Sequence, residues 1–293
     1  MPMQETSGAP RRFWPSPRAL YSRLATRAFT ERGLYLNLGY WKEAQTIDEA
    51  CAALALLVAE TARMGPRDEV VDVGFGFADQ DMLWVEKFAP RHITGLNVTP
   101  VHVRIGRARV ERRGLSSRID LREGSATAMP LPDASCDVVT AVESAFHFNT
   151  REAFLAEAFR VLRPGGRLVL ADLIRAAPAD TAGGRRWQAC TWPVFARIFS
   201  VPDANADERE GYAGKLAAAG FGDVSVVPIG QDVFPGWHRA LREDRALFRR
   251  LPLPGQAAYA ALLPVTPERV YAALDYVLTS ARKPEATVAD ALG

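Results

Sequence analysis

Apolar and polar positions change period repeatedly along this chain. From Ile47 the apolar residues Ile47, Cys51, Leu54 and Val58 recur at three- and four-residue intervals, which predicts a helix packed along one stripe. Glu69-Val70-Val71-Asp72-Val73 then reads as a buried strand. A turn containing glycine follows, and a helix over about residues 78–88. A second strand is expected from His92 to Asn97, and after it a helix with Thr99 as N-cap, Pro100 at its first position and Gly114 at its end. Strands three and four are read at about 118–123 and 137–142. The next helix is expected to open at Asn149 with Glu152 in a capping box, to bury Phe154, Ala158 and Val161, and to stop at Pro164-Gly165-Gly166. A fifth strand covers residues 167–173. Alternating strands and helices of this length require right-handed crossovers and a parallel sheet.

Beyond residue 173 the alternation breaks. Residues 174–206 read as an aromatic insertion, 207–219 as a helix, 222–229 as a strand and 235–263 as an Arg-rich helical stretch. A final strand is expected at about 276–282. Residues 1–18, rich in Pro, Arg and small residues, read as loosely ordered, and 19–33 as a short basic helix. No internal repeat is visible. Residues 1–46 are taken as an N-terminal arm, and 47–293 as one domain with lid insertions at about 174–206 and 231–263.

Composition narrows the function classes. The 293 residues are 48% apolar and 24% charged with a formal charge of +2, a balance that gives no support for nucleic-acid binding. Nearly all the positive charge is Arg, Lys occurring at 42, 87, 215 and 283. Cysteines at 51, 136 and 190 have no paired spacing, so neither a disulfide framework nor a zinc knuckle is expected. Arg11 and Arg12 are followed by no apolar segment, and the longest apolar run, Ala50 to Ala59, is too short to span a bilayer. The expected setting is a reducing cytoplasm, with no membrane partner. No clustered His/Asp/Glu metal site is visible, and homo-oligomerisation stays open.

The central chemical signal is Asp72-Val73-Gly74-Phe75-Gly76-Phe77-Ala78-Asp79, where the first strand turns into a helix. Glycines there let a ligand approach the backbone at the carboxyl ends of the strands. A dinucleotide fingerprint needs a third Gly at position 79, which is Asp. A carboxylate at that helix N-terminus opposes a pyrophosphate, but it suits a nucleoside carrying a sulfonium and an ammonium. Acids at 72 and 79 therefore point to S-adenosylmethionine.

Five stretches carry a family resemblance: residues 36–41 (LNLGYW), 72–76 (DVGFG), 97–103 (NVTPVHV), 143–147 (ESAFH) and 161–166 (VLRPGG). Together with the tail from Leu274 to Pro284 they resemble S-adenosylmethionine-dependent methyltransferases of natural-product pathways, among them O-methyltransferases of macrolide sugars. The resemblance covers about residues 33–284. It implies an α/β, Rossmann-like, doubly wound and mostly parallel seven-stranded sheet, with an antiparallel last strand and a helical, aromatic lid. It implies cofactor contacts around the first turn, with Asp72 orienting it and Gly74 and Gly76 lining the methionine and ribose, and further contacts at Asn97 (where relatives commonly have an acid), Ser125 and Ala126. Glu143, on the rim after the fourth strand, is a further candidate for holding the cofactor. Tyr35 or Tyr40, with Trp41, would cover the cofactor or simply pack the arm on the sheet.

Methyl transfer to a hydroxyl needs alignment, exclusion of water and a proton acceptor. Of the four histidines only His147 lies just past the carboxyl end of a core strand. The resemblance makes it the base, with Asp172 orienting the imidazole or holding a substrate hydroxyl. Glu143 is a second carboxylate on the same rim. Phe146, Phe148, Trp187, Trp192, Phe195 and Trp237 are candidates for the wall of a small-molecule acceptor pocket. O-methylation of a sugar or polyketide hydroxyl is the leading reading. C-methylation of an isoprenoid stays open, with Glu143 as base and Arg239, Arg242, Arg245, Arg249 and Arg250 on a diphosphate. So do N-methylation of an amine and non-catalytic cofactor binding.

Overall fold

A computed structural model describes residues 29–251 and 253–285. Its strands are β1 (Glu69–Val73), β2 (His92–Asn97), β3 (Ile119–Glu123), β4 (Cys136–Val142), β5 (Leu162–Arg175), β6 (Gly222–Pro228) and β7 (Leu274–Arg282). They form one sheet in the order β3-β2-β1-β4-β5-β7-β6. The first five run parallel, and β7 lies antiparallel between β5 and β6. β1 and β4 are almost wholly buried, as central parallel strands covered by helices on both faces must be.

The flanking helices are α1 (Ile47–Thr61), α2 (Asp79–Lys87), α3 (Pro100–Arg112), α4 (Arg151–Val161), α5 (Ala182–Ile198), α6 (Arg209–Ala218), α7 (Phe234–Glu243), α8 (Arg245–Arg250), α9 (Leu253–Leu262) and α10 (Pro267–Val270). α1 starts where its stripe begins, because Thr46 and Glu49 close a reciprocal capping box. It buries Cys51, Leu54 and Val58 completely. Trp84 of α2, also fully buried, donates its indole N–H to the Ala55 carbonyl at 2.8 Å and so ties α2 to α1.

Several boundaries differ from expectation for local reasons. α4 is capped one residue later than expected: the Thr150 hydroxyl accepts from the Ala153 N–H, and Glu152 pairs with Lys215 at 2.7 Å instead of closing a box. β5 extends to Arg175 because β7 pairs with it from Arg167 through Arg175. The insertion at 174–206 contains the 17-residue helix α5, despite Gly183, Gly184 and Pro193 within it. The stretch 235–263 is three helices; Asp244 breaks the first and caps the second by accepting from Ala246 and Leu247 N–H. Of the short basic helix expected at 19–33, residues 19–28 lie outside the described residues. Residues 29–33 form bends, with Asp48 accepting the N–H groups of Glu31, Arg32 and Gly33. Among the described residues no helix is long and apolar enough to cross a membrane.

The chain passes from β1 to β2 on one side, while β4 flanks β1 on the other. A crevice therefore opens at the carboxyl ends of β1 and β4, the switch point of a doubly wound sheet.

Candidate active site

The turn after β1 has left-handed backbone at three alternate residues: Gly74 at φ +83°, Gly76 at φ +57° and Ala78 at φ +68°. It is held from both neighbours. Gly74 N–H donates to Leu96 O at 2.8 Å, and Ser144 Oγ donates to Val73 O at 2.7 Å. Above it lies a cavity of about 340 Å³, within the range of small-molecule sites. Gly74, Gly76, Asn97, Ser125, Ala126 and Glu143 all stand on its wall, and Tyr35, Leu36 and Asn37 roof it. His147 and Phe148 stand on its rim.

No Lys or Arg lines this cavity among the described residues, whereas Asp79 and Glu143 do. The two acids differ. Asp79 is clasped by both guanidinium nitrogens of Arg109, one at 2.7 Å, so although it lines the cavity its charge is already balanced by the protein. Glu143 sits on left-handed backbone (φ +49°) with Oε1 accepting from Leu38 N–H and from Tyr276 OH, each at 2.7 Å. Burial pushes its carboxyl up to about 8, and the like charge of Asp172 adds to the rise. Among the described residues no basic side chain pairs with it, so a buried carboxyl opens on the cavity without a counter-charge.

Asp72, expected to orient the turn and counted among the cofactor contacts, does not reach the cavity wall. It is fully buried behind the turn, accepting from Thr140 Oγ1 at 2.8 Å and Gln80 Nε2 at 2.9 Å. Asp81, equally buried, is its electrostatic neighbour. Burial raises both carboxyls, Asp72 to about 6 and Asp81 well above its ordinary value. Asp72 has the donors, so Asp81 holds the proton. A carboxyl raised on folding contributes its full stability below the unfolded value of about 4 and loses it as pH rises through the folded value. Asp81→Asn, neutral at every pH, is thus expected to melt like wild type near pH 4 and several degrees higher at pH 8. Thermal melts across that range check this; a pH-independent loss would refute it.

On the reacting rim the His147 ring packs on Phe146 with centroids 4.0 Å apart, and its Nδ1 lies 3.5 Å from the Ser200 carbonyl. Burial pushes the imidazole down to about 4, so it is neutral at physiological pH. Asp172 does not serve it. That carboxylate is fully buried, accepting from Phe146 N–H at 3.0 Å, Tyr212 OH at 3.0 Å and Arg151 Nη2 at 3.1 Å. Its role is to neutralise Arg151, which has no solvent exposure at all.

Most of the expected aromatic wall is packing. Trp237 is buried against Phe29 and Tyr259. Trp41 donates its indole N–H to Leu38 O at 2.8 Å and fills the space left by the missing side chain of Gly236, away from the cavity. Phe146 is buried beneath His147 and Phe195 beside Tyr271. Trp187 donates to Arg269 O, and Trp192 lies near the Arg175 guanidinium. Only Phe148 of that group reaches the cavity. The Arg-rich stretch is elsewhere too: Arg250 holds the Phe29 and Thr30 carbonyls, Arg239 lies near Trp41, and Arg242 pairs with Glu243. Residues the sequence reading did not assign to the site include Asn37, Gln80, Val98, Thr99, His102 and Thr127. The signal for Val98 and Thr99 was their place directly after β2; Asn37 carried none.

A family model described as "Methyltransferase domain" matches residues 71–170, the segment holding the glycine turn, Glu143 and His147. The chain is 36% identical to erythromycin 3''-O-methyltransferase of Saccharopolyspora erythraea, over 93% of this chain and 92% of that protein. It belongs to the S-adenosylmethionine-dependent methyltransferases. A further relative, 27-O-demethylrifamycin SV methyltransferase of Amycolatopsis mediterranei, is 31% identical over 86% of this chain and 91% of its own length. Among solved structures, geranyl diphosphate C-methyltransferase from Streptomyces coelicolor superposes with a TM-score of 0.69 at 17% identity, covering 92% of this chain and 99% of that one. The cyclase SpnF gives 0.70 at 23%, covering 93% and 98%. These two likenesses show the fold and leave the reaction of this methyltransferase to its site. The cofactor of the methyltransferase is S-adenosylmethionine, and the residues present fit it: a cavity of about 340 Å³ opens on the backbone of Gly74 and Gly76, with the Glu143 carboxyl on its wall to meet a cation.

Proposed function

We propose that this methyltransferase transfers a methyl group to a hydroxyl of a natural product, a sugar or polyketide-like acceptor, with His147 as proton acceptor. The observation that carries this reading is a histidine held neutral by burial on the lining of the cavity, just past the carboxyl end of β4, where among the described residues no Lys or Arg lines the wall. The acceptor class follows the two relatives named for O-methylation of antibiotics. Gly74 and Gly76 would admit the cofactor to the backbone, Glu143 would hold its cationic end, and Asn97, Ser125 and Ala126 would meet the nucleoside. Asn97 already accepts from Thr99 N–H at 2.9 Å through its side-chain oxygen, which leaves its amide hydrogens to face the ribose.

When bound, S-adenosylmethionine supplies an electrophilic methyl whose sulfur leaves as a neutral thioether. No general acid is required of the protein. His147 Nε2 takes the hydroxyl proton as the acceptor oxygen bonds to carbon, a step that needs no strong base because the forming oxonium is acidic. Tyr35, Leu36 and Asn37 shut out water. Carbon methylation is the less supported alternative, because erythromycin 3''-O-methyltransferase is matched over nearly its whole length whereas the C-methyltransferase shares only the fold.

Two measurements test the reading. Calorimetry is expected to show S-adenosylhomocysteine binding that tightens as pH rises through about 8, because Glu143 must lose its proton to hold a cation. Glu143→Gln should remove that slope, and tight NAD binding in its place would overturn the cofactor assignment. With labelled methyl donor, carbon NMR of the product should show a methoxy carbon; a methyl bonded to carbon would end the O-methylation reading.

A further inference from the structure

We infer that Asn205 is a positioning residue for His147, its side-chain amide clamping the carbonyls of the residues before and after that histidine and so aiming the ring at the cavity. The inference rests on the reading of His147 as proton acceptor. Asn205 lies in a short turn seven residues beyond the end of α5 and has no solvent exposure. Its Nδ2 donates to Phe146 O at 3.1 Å and to Phe148 O at 2.8 Å, the carbonyls of the residues directly before and after His147. Its Oδ1 accepts from Arg151 N–H at 2.8 Å. Two carbonyls demand donors and one N–H demands an acceptor, so a single orientation of the amide satisfies all three. Its own carbonyl accepts from Arg151 Nη1 at 2.9 Å.

Together with Asp172 on Phe146 N–H, this fastens the turn carrying His147 at three backbone atoms. Buried carbonyls left without donors are costly, so the turn cannot rotate away while the amide is in place. The same segment also touches the ring. Ser200, at φ +51°, puts its carbonyl 3.5 Å from Nδ1, and Phe199 meets the Phe146 ring edge-on at 6.3 Å. Residues 199–205 therefore wrap His147 from ring to backbone, directly after the lid helix α5. The aim of the proton acceptor depends on that segment being seated.

Asn205→Asp tests this, because it keeps the acceptor for Arg151 N–H and replaces both donors by an oxygen facing two carbonyls. Its kcat is expected to fall about ten- to a hundredfold, the cost of misplacing a reacting group by about an ångström. S-adenosylhomocysteine affinity should stay within about threefold of wild type, because the amide is not on the cofactor wall. The acid limb of kcat should move up from near 4 toward the ordinary histidine value as the ring gains solvent. Asn205→Ala should repeat the result. Tyr212→Phe, which removes one bond to Asp172 and leaves both carbonyls paired, should lower stability without moving the pH profile. A wild-type kcat and pH profile in either Asn205 variant would overturn the inference, and so would loss of cofactor binding in step with kcat. Should neither variant fold, Asn205→Gln is measured in the same way: its longer amide cannot meet both carbonyls from the same backbone position, so the losses above support the inference and a wild-type kcat and pH profile overturns it. If His147→Ala keeps full turnover, the reading of the base fails, and that result is distinct from any of these.

Discussion

Gly74→Ala is expected to weaken S-adenosylhomocysteine binding at least thirtyfold, an estimate built from two roughly additive costs. The residue sits at φ +83°, where a side chain costs about 1–2 kcal/mol. The new methyl would also fall 2.6 Å from Ser144 Oγ and still closer to Ser144 Cβ. Ser144 cannot yield cheaply, because its hydroxyl is bound to Val73 O at the end of β1. Overpacking of this kind costs about 1–3 kcal/mol, and the turn relieves it by moving into the cavity. Gly76→Ala is a fitting contrast, since its nearest neighbour would be Leu36 Cδ1 at an ordinary 3.6 Å. The apo protein should lose several degrees of Tm with Gly74→Ala and less with Gly76→Ala. Calorimetry showing Gly74→Ala within threefold of wild type would mean that the turn does not cradle the cofactor.

His147→Ala should lower kcat by about 10²- to 10⁴-fold while leaving S-adenosylhomocysteine affinity within about threefold. Burial sets the sign of the pH dependence. Because the folded imidazole is pushed down to about 4, it is neutral across the physiological range, and wild-type kcat should show no acid limb until pH falls toward that value. Stability follows the same group: it is lost as pH drops from the unfolded value of about 6.5 through 4, because the unfolded chain then binds the extra proton. His147→Ala should therefore be less sensitive to acid in a melting series. Single-turnover rates with bound acceptor separate proton transfer from release. An unchanged single-turnover rate would remove the histidine from the chemistry.

How much of this was legible in the residues depended on where each signal is stored. Strands such as Glu69–Val73 and Cys136–Val142 announce themselves because both faces are buried and every position is constrained. The glycine turn was equally readable, since a left-handed backbone near a ligand admits few alternatives. Helix α5 was not, because Gly183, Gly184 and Pro193 argue against a helix that tertiary packing of Phe195 supports. Aromatic content marked the insertion but not which rings face inward, so Trp187 and Trp237 were assigned to a cavity they do not line. Asp172 misled for a related reason: its position after Ala171 in β5 is readable, but its partner Arg151 is 21 residues away. Asn205 was invisible, since its partners Phe146 and Phe148 offer main-chain carbonyls that any sequence would supply.

The location of β7 has a consequence for biosynthesis. The last strand of the sheet is an interior one, hydrogen-bonded along both sides. During synthesis β5 must therefore wait with an open edge, and β6 has no neighbour to join until Leu274–Arg282 has left the ribosome. A truncation just before Leu274 would remove fewer than a tenth of the residues, yet it would create two unpaired edges and detach a strand. Such a product should aggregate during expression rather than accumulate as a shortened enzyme.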